Sequence, residues 1–286
     1  MTIAKSRSDA LAARTRKVAQ VPLNTLDGAG EQLSFYGRAI GWGPRTIKQY
    51  PKEVFRLLAE VAFGSGGLAV IGGTVGVMVL LSGFTGVVVG LQGYSALEQI
   101  GSQAITGFLS AYINTREVAP IVAGLALSAT VGCGFTAQLG AMRISEEIDA
   151  LEVMAVPSVP FLVTTRVVAG FVAVIPLYVL GLLSAYIASR LINVTFNGQS
   201  TGSYDHYFNL FLPPEDVLWS FGKVLIFAFV IILIHCYYGY NASGGPAGVG
   251  VAVGRAVRTA LVLVALLDFF LGLAIWGTTT TVRVAG

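Results

Sequence analysis

Charged residues are missing from long stretches of this chain and crowded into others. None lies between Glu60 and Glu98, between Glu117 and Arg143, between Arg166 and Arg190, or between Lys223 and Arg255. A fifth apolar window, about 258–277, carries only Asp268 beyond its first residue. About 20 apolar residues cross a bilayer, so the windows predict spans near 66–91, 118–140, 162–187, 220–240 and 258–277. In lipid each span must satisfy its own backbone hydrogen bonds, which makes these spans helices. The pattern changes at residues 31–64, where Phe35, Tyr36, Ile40 and Trp42 mix with Arg38, Arg45 and Lys48. That segment is too charged to span and predicts amphipathic helices lying in the membrane interface. The expected fold class is an all-α integral membrane protein, with interfacial helices followed by five transmembrane helices.

Composition agrees. Of 286 residues, 55% are hydrophobic and 12% are charged, against roughly 25% charged in soluble domains. The polar surface needed to cover two soluble domains is missing. The net charge of +3 is small, but its distribution is uneven. Ten of the eighteen Lys and Arg residues precede the first span, from Lys5 to Arg56. The positive-inside rule puts that end in the cytoplasm and, after five spans, the C-terminus outside. Residues 1–30 read as a flexible basic cytoplasmic tail, without the apolar run of a cleaved signal, and 279–286 as an extracytoplasmic tail. Trp219 and Trp276 fall at outer ends and Tyr237, Tyr238 and Tyr240 at an inner end, as aromatic belts do. The loop 191–216 is aromatic-rich and falls outside, where it either rests on the membrane or meets an external partner.

Candidate chemistry is sparse. Cys133 and Cys236 lie alone in apolar stretches and read as small packing residues. His206 and His235 have no metal-ligand companions, and His235 reads as a hydrogen-bonded interface residue. "GVGVAVG" at 248–254 lacks the Lys-Ser/Thr of a phosphate loop. No catalytic cluster is recognisable, so an enzyme is not expected. Three groups of ionisable residues remain. Residues 145–155 carry Glu146, Glu147, Asp149 and Glu152 between two spans. Ser145 is the expected N-cap, acidic residues suit the first turn, and Pro157 and Pro160 stop the helix. Helical spacing places Glu146, Ala150 and Met154 on one face, with Asp149 beside it. By topology this helix is cytoplasmic, where anionic headgroups repel it and a basic protein partner suits it better. Arg116 and Glu117, with Pro120, mark the outer start of the second span. Asp268 lies inside the fifth, where an ionised group is costly and faces protein or water; Arg166 is the partner expected for it.

The spans are rich in small residues, and Gly72/Gly76, Gly86/Gly90 and Gly250/Gly254 are each four apart, which lets helices approach closely. The first span also offers Val77, Met78, Leu80, Leu81 and Val87. Such a wall cannot meet the hydrogen bonds of a polar solute, but it can hold acyl chains or a sterol ring.

"LGAMRISEEIDALEVMAV" resembles the E-E-x-D-A-L-x-x-M signature of the MlaE/YrbE permeases, the membrane subunits of lipid-transporting ABC systems that work with MCE proteins. "REVAP" at 116–120 resembles the family's R-E-L-G-P, with Ala119 in place of glycine. "YYGYNASGGPAGVGVAVGRAVRTAL" and "LDFFL" resemble its last two segments. The resemblance covers roughly residues 50–278, and "GQSTGSYDHYFNLFL" and "HCYYGYNASGGP" look closest to B-type YrbE subunits of actinobacterial Mce operons. It implies an interfacial helix with five membrane helices, and a coupling helix whose Glu146, Glu147, Asp149, Ala150 and Met154 dock on an ABC ATPase dimer. It also implies a second, A-type permease, MCE proteins on the extracytoplasmic side, and residence in the bacterial inner membrane. A lipid path would run along Val77, Leu80, Leu81 and Val87, with Arg116 and Glu117 near its outer mouth. The chain itself would bind no cofactor, since ATP and Mg would be used by the ATPase, and no nucleic acid. The lipid would be a fatty or mycolic acid or a sterol, moved inward. The alternative is a secondary transporter or channel, whose polar path would have only Asp268, Arg166 and the Arg116–Glu117 pair to draw on.

Overall fold

The computed structural model describes residue 28 and residues 30–63 and 73–277. The basic tail, the C-terminal tail and the expected beginning of the first span at 66 lie outside the described residues. Within them the chain is helical. Three helices come first: α1 at 30–41, α2 at Gly43–Gln49 and α3 at Pro51–Phe63. Five helices are long and apolar enough to cross a membrane: α4, Thr74–Glu98; α5, Gln103–Ile144; α7, Val159–Phe196; α9, Pro214–Tyr240; and α10, Gly245–Trp276. Two short helices stand between them, α6 at Glu147–Val153 and α8 at Thr201–Leu210. The chain is therefore a five-span all-α membrane protein, as its charge-free windows predict.

The spans differ from expectation in length. The second was expected from about 118, but α5 runs from Gln103 and places Arg116 and Glu117 inside the helix. Arg116 and Glu117 end the charge-free run at 118, yet both sit inside the helix with oppositely charged partners. The fifth begins at Gly245, well before 258. The expected loop 191–216 is mostly structured: α7 continues to Phe196, and α8 packs on the first turns of α5, burying Tyr204.

Helix α5 is the centre of the bundle. It touches α4, α7, α9 and α10, while those four pack in chain order, α4 on α7, α7 on α9 and α9 on α10. Burial follows this layout. In the apolar windows of α5, α7 and α9, 50% or more of the residues are buried, against 28% in α4 and 17% in α10. The first and last spans thus form the flanks. Close approach rests on small residues where the spans meet: a Cβ on Gly86 would strike the backbone of Ala185 in α7, and one on Gly132 would meet the His235 ring at 2.6 Å. Gly250 and Gly254 have nothing within 4 Å of their Cβ positions, so that pair lies on an uncovered side of α10.

The amphipathic N-terminal helices and α6 share one end of the bundle. Phe35 packs on Tyr237 and Tyr240, each at 5.4 Å between ring centres, and Thr164 Oγ1 donates to the Ala39 carbonyl at 2.9 Å. Helix α8 closes the other end.

Candidate functional site

At the α6 end, the chain leaves α5 through Glu146, which sits in left-handed conformation at φ 61°, and leaves α6 through Ala155 at φ 59°. Neither is glycine, so both positions carry backbone strain held by their surroundings. Ser145 is not the N-cap. Its Oγ donates back to Ala141 O at 3.0 Å and to Glu147 Oε1 at 3.0 Å, because the left-handed Glu146 turns the chain before α6 begins. The helix is consequently seven residues long, shorter than the ten expected.

Its side chains divide cleanly. Ile148 is fully buried and pins the helix to the bundle. Glu152 is exposed but tied to the bundle, its Oε1 accepting from Ser158 Oγ at 2.6 Å and from the Tyr240 hydroxyl at 3.4 Å. Asp149 pairs with Arg143 at 2.7 Å in an exposed ion pair. Glu146, Glu147 and Ala150 face outward, with Val153 88% and Met154 65% exposed. The result is an acidic ledge with two bare apolar side chains at its tip.

At the α8 end lies a network that sequence reasoning only partly found. Lys223 of α9 is fully buried; its Nζ donates to the Arg116 carbonyl at 2.9 Å and pairs with Asp268 Oδ1 at 2.7 Å and Glu117 Oε2 at 3.2 Å. Arg116 pairs with Asp216 at 2.7 Å, and its guanidinium lies over the rings of Tyr112 at 4.2 Å and Trp276 at 5.2 Å. Trp276 Nε1 donates to the other Asp216 oxygen at 2.8 Å. Three spans are thereby joined. Two cations stand among three carboxylates, so each of these ionisable groups has an oppositely charged neighbour, as charge inside a membrane protein requires. Arg116 and Glu117 occupy a π-turn, Asn114–Val118, which shifts the register of α5 and brings both side chains toward α9. A cavity of about 600 Å³ opens beside them, lined by Tyr112, Arg116, Phe211, Asp216, Trp219 and Trp276 among others.

Asp268 is therefore partnered by Lys223, not by Arg166. Arg166 lies toward the α6 end of α7. It donates to Leu162 O at 2.8 Å and to Gln138 Oε1 at 3.2 Å, and Gln138 donates on to Glu60 of α3 at 2.5 Å. Sequence reasoning missed Lys223 and Asp216 because Lys223 bounds a charge-free window and Asp216 ends the expected outer loop. The available signal was their spacing of seven, two helical turns on one face.

Of the expected lipid-path residues, Leu80 (53% exposed) and Leu81 lie on the bare side of α4, which continues through Phe84, Val88 and Leu91. Val77 and Val87 are half-buried, and Met78 is turned inward against α7. The path residues on α4 and the Arg116–Glu117 pair are on different helices, linked by the packing of α4 on α5. His235 is buried between Ser128 Oγ at 3.0 Å and Thr136 Oγ1 at 2.8 Å, both of α5. His206 contacts the Tyr207 ring.

Comparison with known proteins decides the family. The pattern of the family described as Permease MlaE matches residues 65–274. The chain belongs to the MlaE permease family. It is 29% identical over 262 residues to the intermembrane phospholipid transport system permease protein MlaE of Haemophilus influenzae, covering 89% of this chain and 98% of that one. A probable ABC transporter permease protein of Rickettsia bellii is 31% identical over 157 residues, which is 55% of this chain and 61% of the relative. The chloroplastic protein TRIGALACTOSYLDIACYLGLYCEROL 1 of Arabidopsis thaliana is 28% identical over 60% of this chain and 49% of its own. The match thus spans about six-tenths of the length of the Rickettsia relative. The five spans found here make this member a multi-pass membrane protein.

Proposed function

We propose that this MlaE-family permease moves lipid across or out of the bilayer, driven by an ATPase carried on a separate chain. The observation that carries the reading is the uncovered apolar stripe of α4, Leu80, Leu81, Phe84, Val88 and Leu91. It offers no hydrogen bonds, so it favours acyl chains or a sterol over any polar solute. The near full-length similarity to a phospholipid-transport permease supports the same substrate class. The flanks α4 and α10 are the least buried spans, and a second permease chain, of the related A-type, would complete the pocket along them. The acidic ledge of α6 is the docking point for the ATPase, through Glu146, Glu147, Asp149, Ala150 and Met154. MCE proteins would receive or deliver lipid at the α8 end, and import of a fatty acid, mycolic acid or sterol is the finer form of the proposal. A secondary transporter is less well supported, because Arg116, Lys223, Glu117, Asp216 and Asp268 are engaged with one another.

The test is photolabelling in the assembled complex. A photoreactive fatty acid or sterol should crosslink within residues 75–91, and labelling should fall when Leu80 and Leu81 are both changed to Asn with assembly intact. Labelling spread evenly over all five spans and indifferent to that change would overturn the pocket.

A further inference from the structure

The α6 end holds two adjoining cavities that no part of the transport reading uses. The first, about 350 Å³, lies between α1, α9 and α10 and is lined by Leu33, Tyr36, Val230, Leu233, Ile234 and Leu263, with Gln32 and Thr259 at its edge. The second, about 260 Å³, is mixed; Asn241, Ser243 and Arg255 line it together with Val251, Ala252 and the Gly248 turn of α10. Tyr238 and Thr259 separate the two, their hydroxyls 3.2 Å apart. Arg255, Thr259 and Leu263 fall at spacings of four, on one face of α10, so the face runs from a cation through a hydroxyl to an apolar wall.

The charge is one-sided. Arg255 is the one charged residue lining either cavity. Both Arg255 and Arg258 are exposed, and among the described residues no carboxylate lies within ion-pair distance of either guanidinium. On α1, Gln32 Nε2 bonds the Tyr36 hydroxyl at 2.5 Å, and burial pushes that phenol up to about 12, so it stays neutral. The positive end of the α10 dipole points at the second cavity from its first turn.

Depth along α10 fits a bilayer. Arg255 and Trp276 are twenty-one residues apart, roughly 32 Å of helix, which matches a hydrocarbon core of about 30 Å. With Trp276 at one interface, Arg255 lies at headgroup level on the other. Leu263 then sits about 12 Å deeper along the helix. A membrane lipid is the molecule that presents an anion at one level and a chain at the other.

We infer that the groove between α1, α9 and α10 binds an anionic phospholipid of the surrounding leaflet, its acyl chain in the apolar cavity and its phosphate at Arg255. This lipid would staple the amphipathic helix α1 to the two last spans, on the end that carries α6. The inference needs only that the chain is embedded in a membrane, and it stands whether or not the chain transports lipid.

The full chain, reconstituted in nanodiscs of phosphatidylcholine doped with phosphatidylglycerol bearing a diazirine on its acyl chain, tests it. Labelling should concentrate on peptides containing Leu33, Val230 and Leu263. Arg255→Gln should reduce it about five-fold, the effect expected for one basic residue near an anionic surface. Arg255→Lys should restore most of it. Leu263→Trp should suppress it by filling the cavity. A phosphatidylcholine probe of the same design should label weakly and ignore Arg255→Gln. Equal labelling by both probes, or no response to Arg255→Gln in a folded protein, would overturn the inference. So would efficient disulfide linkage of two chains through Leu263→Cys without lipid labelling, which would make this face a contact between copies.

Discussion

Lys223 Nζ sits 2.7 Å from Asp268 Oδ1, a contact between the fourth and fifth spans in which the lysine is fully buried. Removing one partner leaves a charge in a medium that cannot solvate it, a loss of about 3–5 kcal/mol for buried pairs. Lys223→Met should therefore lower the thermal midpoint in detergent sharply, and Lys223→Met with Asp268→Leu should recover part of it. A double variant no more stable than the single one would show that Glu117, not Asp268, is the main partner of the lysine.

The ledge on α6 predicts separable effects. Glu147→Lys with Asp149→Lys should leave folding and insertion intact, because both side chains are exposed, yet lose the ATPase in pull-down. Breaking a desolvated charged contact costs about 2–5 kcal/mol, more than tenfold in affinity. Undiminished recovery of the ATPase would remove α6 from that role.

Two glycines in similar motifs should behave oppositely. Gly86→Leu forces a side chain into the Ala185 backbone and should destabilise by at least the 1–3 kcal/mol typical of overpacking. Gly254→Leu has open space around it and should leave the melting temperature of the single chain unchanged. Matching losses would mean that α10 is covered within the chain after all.

Helices α1 to α3 and α6 share one end, and α8 occupies the other. A cysteine in place of Ser200 should react with an impermeant thiol reagent in intact cells, and one in place of Lys48 should not. Both positions are exposed, so equal reaction would contradict the orientation expected from the ten N-terminal cations.

Much of the architecture was legible because it is a one-dimensional property. Runs without charge mark spans, and α4, α7 and α9 each overlap their window, with α4 running on to Glu98, α7 to Phe196 and α9 starting at Pro214. The partnerships were not legible, since they depend on which faces meet. Arg166 and Lys223 both lie inside expected spans, so only the packing of faces tells that Asp268 pairs with Lys223. Ser145 satisfied the composition rule for a helix start, but the rule assumes an extended residue at the cap, and Glu146 is left-handed there. The structured part of 191–216 was hidden for a similar reason. Helix α8 is polar on one side and is held by Tyr204 and the backbone against α5, so its order comes from a neighbour 100 residues away in the chain.

Helix α5 runs without a break from beside α6 to beyond the Lys223 network. From Ile144 to Glu117 it is twenty-seven residues, roughly 40 Å. It is one continuous helix, packed on each of the other four spans. A turn or thrust delivered at Ser145 has no slack joint in which to dissipate before it reaches Arg116, apart from the π-turns at 114–118 and 128–132. Those two turns are where a displacement of one end would be taken up before it reached the charged residues at the other.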